Sequence, residues 1–189
     1  IELKFGLEAV KPTEIKLESS KWILDKTARV FTEVSERLSS YAIPQAADLA
    51  YDFVWFTYCD WYLEMMKVMA NEPESKYVTA VTFKAVLLML HPFIPFITEA
   101  IYLKLPFLKD KETLAEESWE FNFNSDGSTN IERVIDIITA IRQVKAGIGA
   151  PYSPMNISVD NLSIEEKALV EGIARVTVLD QINDPLDRK

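Results

Sequence analysis

Three observations in the sequence predict a mainly α fold, a helical bundle with a small α+β appendage at its C-terminal end. Apolar residues recur at helical spacing over several long stretches. The run Phe53-Val54-Trp55-Phe56-Thr57-Tyr58-Cys59-Asp60-Trp61-Tyr62-Leu63-Glu64 is aromatic or apolar around almost every direction of a helix, so it has to be covered on most sides. Near the end, two short β-prone runs flank a segment with its own helix start signal. These features divide the 189 residues into a helical core over 1–110, a surface connection over 111–130, and a late helix with the α+β appendage over 131–189, all within one domain.

The first helix is expected from Ser20 to about Tyr41, where Ile23, Val30, Val34, Leu38 and Tyr41, flanked by Leu24 and Phe31, form one apolar face. Ile43-Pro44 interrupts that pattern, and Pro44 suits a first helical position because it has no N–H to satisfy. The second helix should run to about Met69 and leave through Asn71-Glu72-Pro73. A third, from about Ser75, carries Tyr77, Val78, Val81, Ala85 and Leu88 towards His91. Pro92 and Pro95 each remove a backbone donor, so His91 to Phe96 should break the helix in two, the second piece reaching Leu105.

Lys109 to Asn130 is charged and then rich in Asn, Ser, Asp and Gly, with one apolar anchor around Trp119 and Phe121. Thr129 and Glu132 have capping-box spacing ahead of Ile131, Val134, Ile135, Ile138, Ile141 and Val144, and Gly147 or Gly149 should end that helix. Met155 to Val159 and Val176 to Leu179 are strand candidates, and Ser163 with Glu166 should cap a helix to about Ala174 between them.

Charge and composition narrow the function classes. A formal charge of -9 repels polyanions, so only local basic patches could meet nucleic acid. Lys21, Lys26, Arg29 and Arg37 on the first helix alternate with Asp25, Glu33 and Glu36, the pattern of a solvated mixed face. The longest apolar run, Ala85 to Pro106, is interrupted by His91, Pro92, Pro95, Glu99 and Lys104, so no membrane span is expected. The start at Ile1-Glu2-Leu3-Lys4-Phe5 suggests a piece of a longer chain, and the single Cys59 fits a reducing, cytoplasmic setting.

No residue set reads as catalytic. His91 is the only histidine, so no histidine pair can hold a metal, and it fits a hydrogen-bonding helix terminator better than a catalyst. Cys59 lacks a neighbouring cation to activate it, and Asp60 with Glu64 is more simply explained by a Glu64 to Lys67 ion pair. The five glycines form no phosphate-cradling loop. The aromatics Trp22, Tyr51, Phe53, Trp55, Trp61 and Tyr62 are expected in the core, with Cys59 and His91 beside them. The better RNA-facing candidates are Arg142 and Lys145 on the late helix, with Lys84, Lys76 and Lys67 around the second connection.

Several separated segments resemble, in the same order, the anticodon-binding domain of the valyl-tRNA synthetases, members of class I. Ser20-Lys21-Trp22-Ile23-Leu24 is similar to that family's D-R-W-I-L, and Leu49 to Trp55 to its L-Y-x-F-x-W. Tyr58-Cys59-Asp60-Trp61-Tyr62-Leu63-Glu64 resembles F-C-D-W-Y-L-E, with Tyr58 in place of Phe. Leu90-His91-Pro92-Phe93-Ile94-Pro95-Phe96-Ile97-Thr98-Glu99 resembles L-H-P-x-x-P-F-I-T-E, and Ile138 to Ala146 resembles V-x-A-I-R-x-I-R-A, with Lys145 for the second Arg. The likeness covers about Leu17 to Leu179.

The resemblance implies an antiparallel helical bundle of the class I anticodon-binding type that holds the anticodon arm of a tRNA. It further implies a parent valine-tRNA ligase whose ATP and magnesium are used in a catalytic domain outside this chain, since the family's H-I-G-H and K-M-S-K-S signatures are absent. Most of the bundle helix that ends N-K-x-W-N-A-x-x-F and the C-terminal coiled-coil arm of many relatives are also absent. Isoleucyl- and leucyl-tRNA synthetases share the bundle and remain an alternative, as does a helical protein-interaction domain with no RNA role.

Overall fold

A computed structural model describes residues 13–105, 110–123, 129–149 and 151–179. The chain forms two compact units, Ile1–Ser128 and Thr129–Lys189.

The first unit is helical: α1 (Glu18–Ser39), α2 (Ile43–Asp52), a π-helical segment (Phe53–Tyr62), α3 (Leu63–Val68), α4 (Pro73–Leu90) and α5 (Pro95–Lys104), then one 3-10 turn at Leu114–Glu116. The Glu74 carboxylate, in the first turn of α4, accepts the Lys16 and Leu17 amides at 2.9 Å each and so ties the entry of α1 to α4. At the other end of α1 the Tyr41 amide donates to the Leu38 carbonyl and the Ala42 amide to the Arg37 carbonyl, the paired bonds that satisfy a helix end. Tyr41 fills the left-handed position at φ 59, where glycine is the usual residue, and its side chain points into solvent.

α2 packs on α1 and α4, and its Ala46 and Ala50, one turn apart, are fully buried. The proline-rich break falls where the sequence puts it, since α4 ends at Leu90 and Pro95 opens α5. His91 closes that corner. Its amide donates to the Leu87 carbonyl, and its Nδ1 lies 2.8 Å from the Thr98 hydroxyl. The aromatic anchor of the connection is present too. Trp119 packs on Phe31 with centroids 5.0 Å apart, and its indole N–H donates to the Ser35 hydroxyl at 2.7 Å.

The middle helix differs from the expectation. Phe53–Tyr62 winds as a π-helix, and the Leu63 amide donates five residues back to the Tyr58 carbonyl. An α-helical winding from Phe53 would return to the core near Thr57 and Asp60 or Trp61. The wider turn instead returns it at Tyr58 and Tyr62, both buried with Phe53. The cost is met in hydroxyl contacts with α4. The Tyr62 hydroxyl lies 2.9 Å from the Thr79 hydroxyl, Tyr58 donates to the Thr79 carbonyl at 3.4 Å, and Thr82 donates to the Tyr58 oxygen at 3.4 Å. Burial pushes the Tyr58 and Tyr62 hydroxyls well above the ordinary tyrosine range, so both stay protonated donors.

The same winding corrects part of the expected core. Trp22, Phe53 and Tyr62 are buried, while Cys59, Trp61 and His91 are half-buried. Trp55 is 53% exposed, on the side of the π-helical segment away from Phe53, Tyr58 and Tyr62, and Tyr51, on α2 ahead of it, is 57% exposed.

The second unit contains α6 (Ile131–Gly147), β1 (Met155–Ser158), α7 (Ile164–Ala174) and β2 (Val176–Leu179). The strands pair in parallel, Met155 opposite Val176 and Ser158 opposite Leu179, with α7 as the crossover that parallel pairing requires. Ser163 and Glu166 form the expected capping box. The expected Thr129 cap does not form. Asn130 is the N-cap of α6, which puts Arg133 rather than Glu132 at the third helical position and removes the reciprocal geometry. Gly149 turns the chain out of α6 at φ 70, a conformation that suits glycine.

Replacing Tyr62 by Phe leaves the Thr79 hydroxyl without its inter-helix partner and should destabilise the first unit by about 1–2 kcal/mol. In urea titrations, Tyr62→Phe, Thr79→Val and the double variant should show a coupling of about 1 kcal/mol; additive losses would show that the two hydroxyls do not act together.

Candidate nucleic-acid interface

The lysines and arginines proposed from the sequence to face RNA fall into distinct environments. Lys67 is exposed and paired with the Glu64 carboxylate. Lys84, on α4, reaches the Asp110 and Glu117 carboxylates, the second at 2.8 Å, and its side chain is only 19% exposed. Lys76 is half-buried on the first turns of α4, and Arg142 is exposed on α6.

Lys145 corrects the expectation most clearly. It is 1% exposed, and its ammonium donates to the Ala174 and Arg175 carbonyls at 3.0 Å each, at the C-terminal end of α7. A cation suits that helix end, where the peptide dipoles leave partial negative charge. Its interior place follows from spacing, since Ile131, Val134, Ile138 and Lys145 lie on one buried stripe and Lys145 is two turns beyond Ile138. Val144, expected on the apolar face, is exposed instead. An ammonium in that position cannot meet a phosphate. It supports Arg175, which ends α7 in a left-handed conformation at φ 54.

Two basic residues of the first helix are paired with carboxylates on the same helix. Lys21 pairs with Glu18 at 3.3 Å and Arg29 with Asp25 at 2.8 Å. Arg29 and Asp25 also border an open groove closed on its other side by Phe121, Asn122 and Phe123. In the second unit, the Arg133 guanidinium donates to the Asp160 and Asn161 carbonyls at 2.9 and 3.1 Å and holds the turn between β1 and α7.

Sequence reasoning missed the network around Glu117. This carboxylate is 4% exposed and accepts from Lys84, from the Tyr102 hydroxyl and from the Asp110 amide, while the Glu99 carboxylate accepts the Leu114 amide at 3.0 Å. Together they fasten the chain after α5 against α4 and α5. Burial alone would raise the Glu117 carboxyl, but the Lys84 and Tyr102 hydrogen bonds outweigh it and hold the group below the usual carboxylate range. Burial likewise opposes the Lys84 charge, and Asp110 and Glu117 overcome it, so that ammonium is held above its ordinary value. Only the acidic composition of 110–117 hints at this arrangement, and no spacing rule connects it to Lys84.

Among the described residues no group of three or more His, Cys, Asp or Glu side chains is placed to hold a metal ion, and no helix is long and apolar enough to cross a membrane. Comparison with known proteins then decides the family. The family model described as the anticodon-binding domain of tRNA ligase matches residues 20–158, a range that enters both compact units. The chain belongs to this family.

The anticodon-binding domain matches several valine-tRNA ligases. That of Mesoplasma florum is 40% identical over 136 residues, 68% of this chain and 15% of the relative. That of Pelagibacter ubique is 34% identical over 164 residues, 82% of this chain and 19% of the relative. That of Bartonella quintana is 32% identical over 190 residues, 91% of this chain and 21% of the relative. The chain therefore spans about a fifth or less of the length of these curated relatives. The valyl-type resemblance and the helical anticodon-binding fold expected from the sequence are both borne out.

A carboxyl with a lowered folded value contributes stability above its unfolded value near 4.3, and that contribution disappears as the pH falls through the folded value. Thermal melts should therefore show the wild type losing stability more steeply than Glu117→Gln below about pH 4.3. Parallel acid profiles for the two proteins would show that Glu117 is not held in its ionised form.

Proposed function

We propose that this domain grips the anticodon arm of a tRNA within a valine-tRNA ligase, whose catalytic part joins valine to that tRNA at the expense of ATP. The observation that carries the reading is the match over residues 20–158 to the anticodon-binding family, together with valine-tRNA ligases as relatives at 32 to 40% identity. The valine branch is favoured over the isoleucine and leucine branches by those relatives and by the unbroken Cys59 to Glu64 motif.

The contribution of such a domain is positional. Contacts with a distant arm of the tRNA hold its acceptor end at a high effective concentration in the active site, and bases in an unpaired loop offer their edges for reading. ATP and magnesium act, in this proposal, in the catalytic part of the longer polypeptide, and none of the roles assigned to this chain's residues depends on them. The helical core over 1–110, the connection over 111–130 and the late helix with its appendage over 131–189 serve as one functional domain. The family match extending from α1 to β1 supports that unity. The compartment in this reading is the cytoplasm, where tRNA charging takes place.

Among the five basic residues named from the sequence, we assign phosphate contact to Arg142, exposed on α6 within the segment that resembles the family's A-I-R motif, and to Lys76. Lys67 and Lys84 are engaged with carboxylates, and Lys145 acts inside the second unit. The chain should bind valine tRNA weakly and lose affinity as salt rises. Arg142→Ala should reduce the slope of log affinity against log salt by about 1, whereas Lys145→Met should leave the slope unchanged and lower the melting temperature. Salt-independent binding, or an Arg142→Ala slope equal to wild type, would remove Arg142 from the interface. Preferential binding of isoleucine or leucine tRNA would reassign the branch.

A further inference from the structure

The face of α2 and the π-helical segment that looks away from the core carries exposed aromatic rings beside exposed carboxylates. Tyr51, Trp55 and Phe56 are 57%, 53% and 55% exposed, and the first two stack with planes 4° apart and centroids separated by 6.2 Å. Asp48, Asp52 and Asp60 are exposed along the same stripe. No lysine or arginine occurs between Arg37 and Lys67. The result is a pre-arranged aromatic strip about one helix wide with an acidic rim, and contiguous apolar surface of this kind marks an interaction site.

We propose that this strip is the docking surface for a helical segment elsewhere in the same, longer polypeptide, apolar on its inner face and edged with lysine or arginine. This inference rests on the proposed function, in which the chain is one part of a ligase several times its length. Charge selects the occupant. Single-stranded nucleic acid needs cations tracking its phosphates beside the stacking rings, and here the flanking groups are carboxylates. A second copy would bring the same carboxylates against these in a two-fold arrangement, on chains that each already carry a charge of -9. A basic-edged helix lying along the strip covers the rings and pairs with the aspartates. The π winding serves that contact, because it turns Trp55 and Phe56 outward while Tyr58 and Tyr62 hold the opposite side in the core.

Hydroxyl-radical footprinting with mass spectrometry reads side-chain access directly. Trp55 and Tyr51 should be oxidised readily in the 189-residue chain and about fivefold more slowly in the complete polypeptide encoded by the gene, with tRNA absent. The double substitution Asp48→Lys with Asp52→Lys should restore fast oxidation in the complete polypeptide, while leaving the melt of the 189-residue chain unchanged because both positions are exposed. Equal oxidation in the two lengths would overturn the proposal, as would protection that survives the double substitution. Protection that appears only on adding valine tRNA would assign the strip to RNA, and protection that grows with concentration of the short chain alone would assign it to a second copy; either sinks the proposal. Loss of tRNA binding with Trp55 still protected would instead refute the proposed function and leave the docking surface standing.

Discussion

The contact on which the first unit depends is the buried meeting of Tyr58 and Tyr62 with Thr79 and Thr82 of α4. Polar hydroxyls in an apolar interior are costly unless paired, and these are paired with one another and with the backbone. Thr79 and Thr82 also donate to carbonyls of their own helix, which fixes the direction of their lone pairs. The tyrosines can reach them only if the middle helix makes the wider turn. One set of hydrogen bonds therefore sets the phase of ten residues and decides which aromatics lie inside.

The consequence extends to function. A helix that buries Tyr58 and Tyr62 has to turn Trp55 and Phe56 outward, so a single choice of winding creates both the core and the outer strip. In the second unit an ammonium plays the comparable part. Lys145 reaches out of α6 to the end of α7, where its charge is matched by two carbonyls rather than by a carboxylate. Each unit thus rests on a polar group placed inside.

Much of the fold was legible because it rests on short-range signals. The α4 to α5 break at Pro92 and Pro95, the Ser163 capping box and both strands follow from local chemistry. The Trp119 and Phe121 anchor was legible because two large rings in a polar stretch have to find apolar cover. The π winding was not, since a segment apolar on every side gives no phase from which burial can be read, and the deciding partners lie on another helix. Lys145 was misread because lysine is normally a surface residue, although its spacing from Ile138 pointed inward. The Glu117 network depends on contacts between segments that no periodicity links. Family motifs carried the functional reading further than any single residue, because their order constrains it and their individual letters do not.

The most direct measurement is the scalar coupling across the backbone hydrogen bond of Leu63 in a long-range HNCO spectrum of the deuterated chain. Coupling is expected from the Leu63 amide to the Tyr58 carbonyl, five residues earlier. Coupling to the Cys59 carbonyl, four residues earlier, would mean an ordinary α-helix, with Tyr58 and Tyr62 out of phase with α4 and the outward turn of Trp55 unexplained.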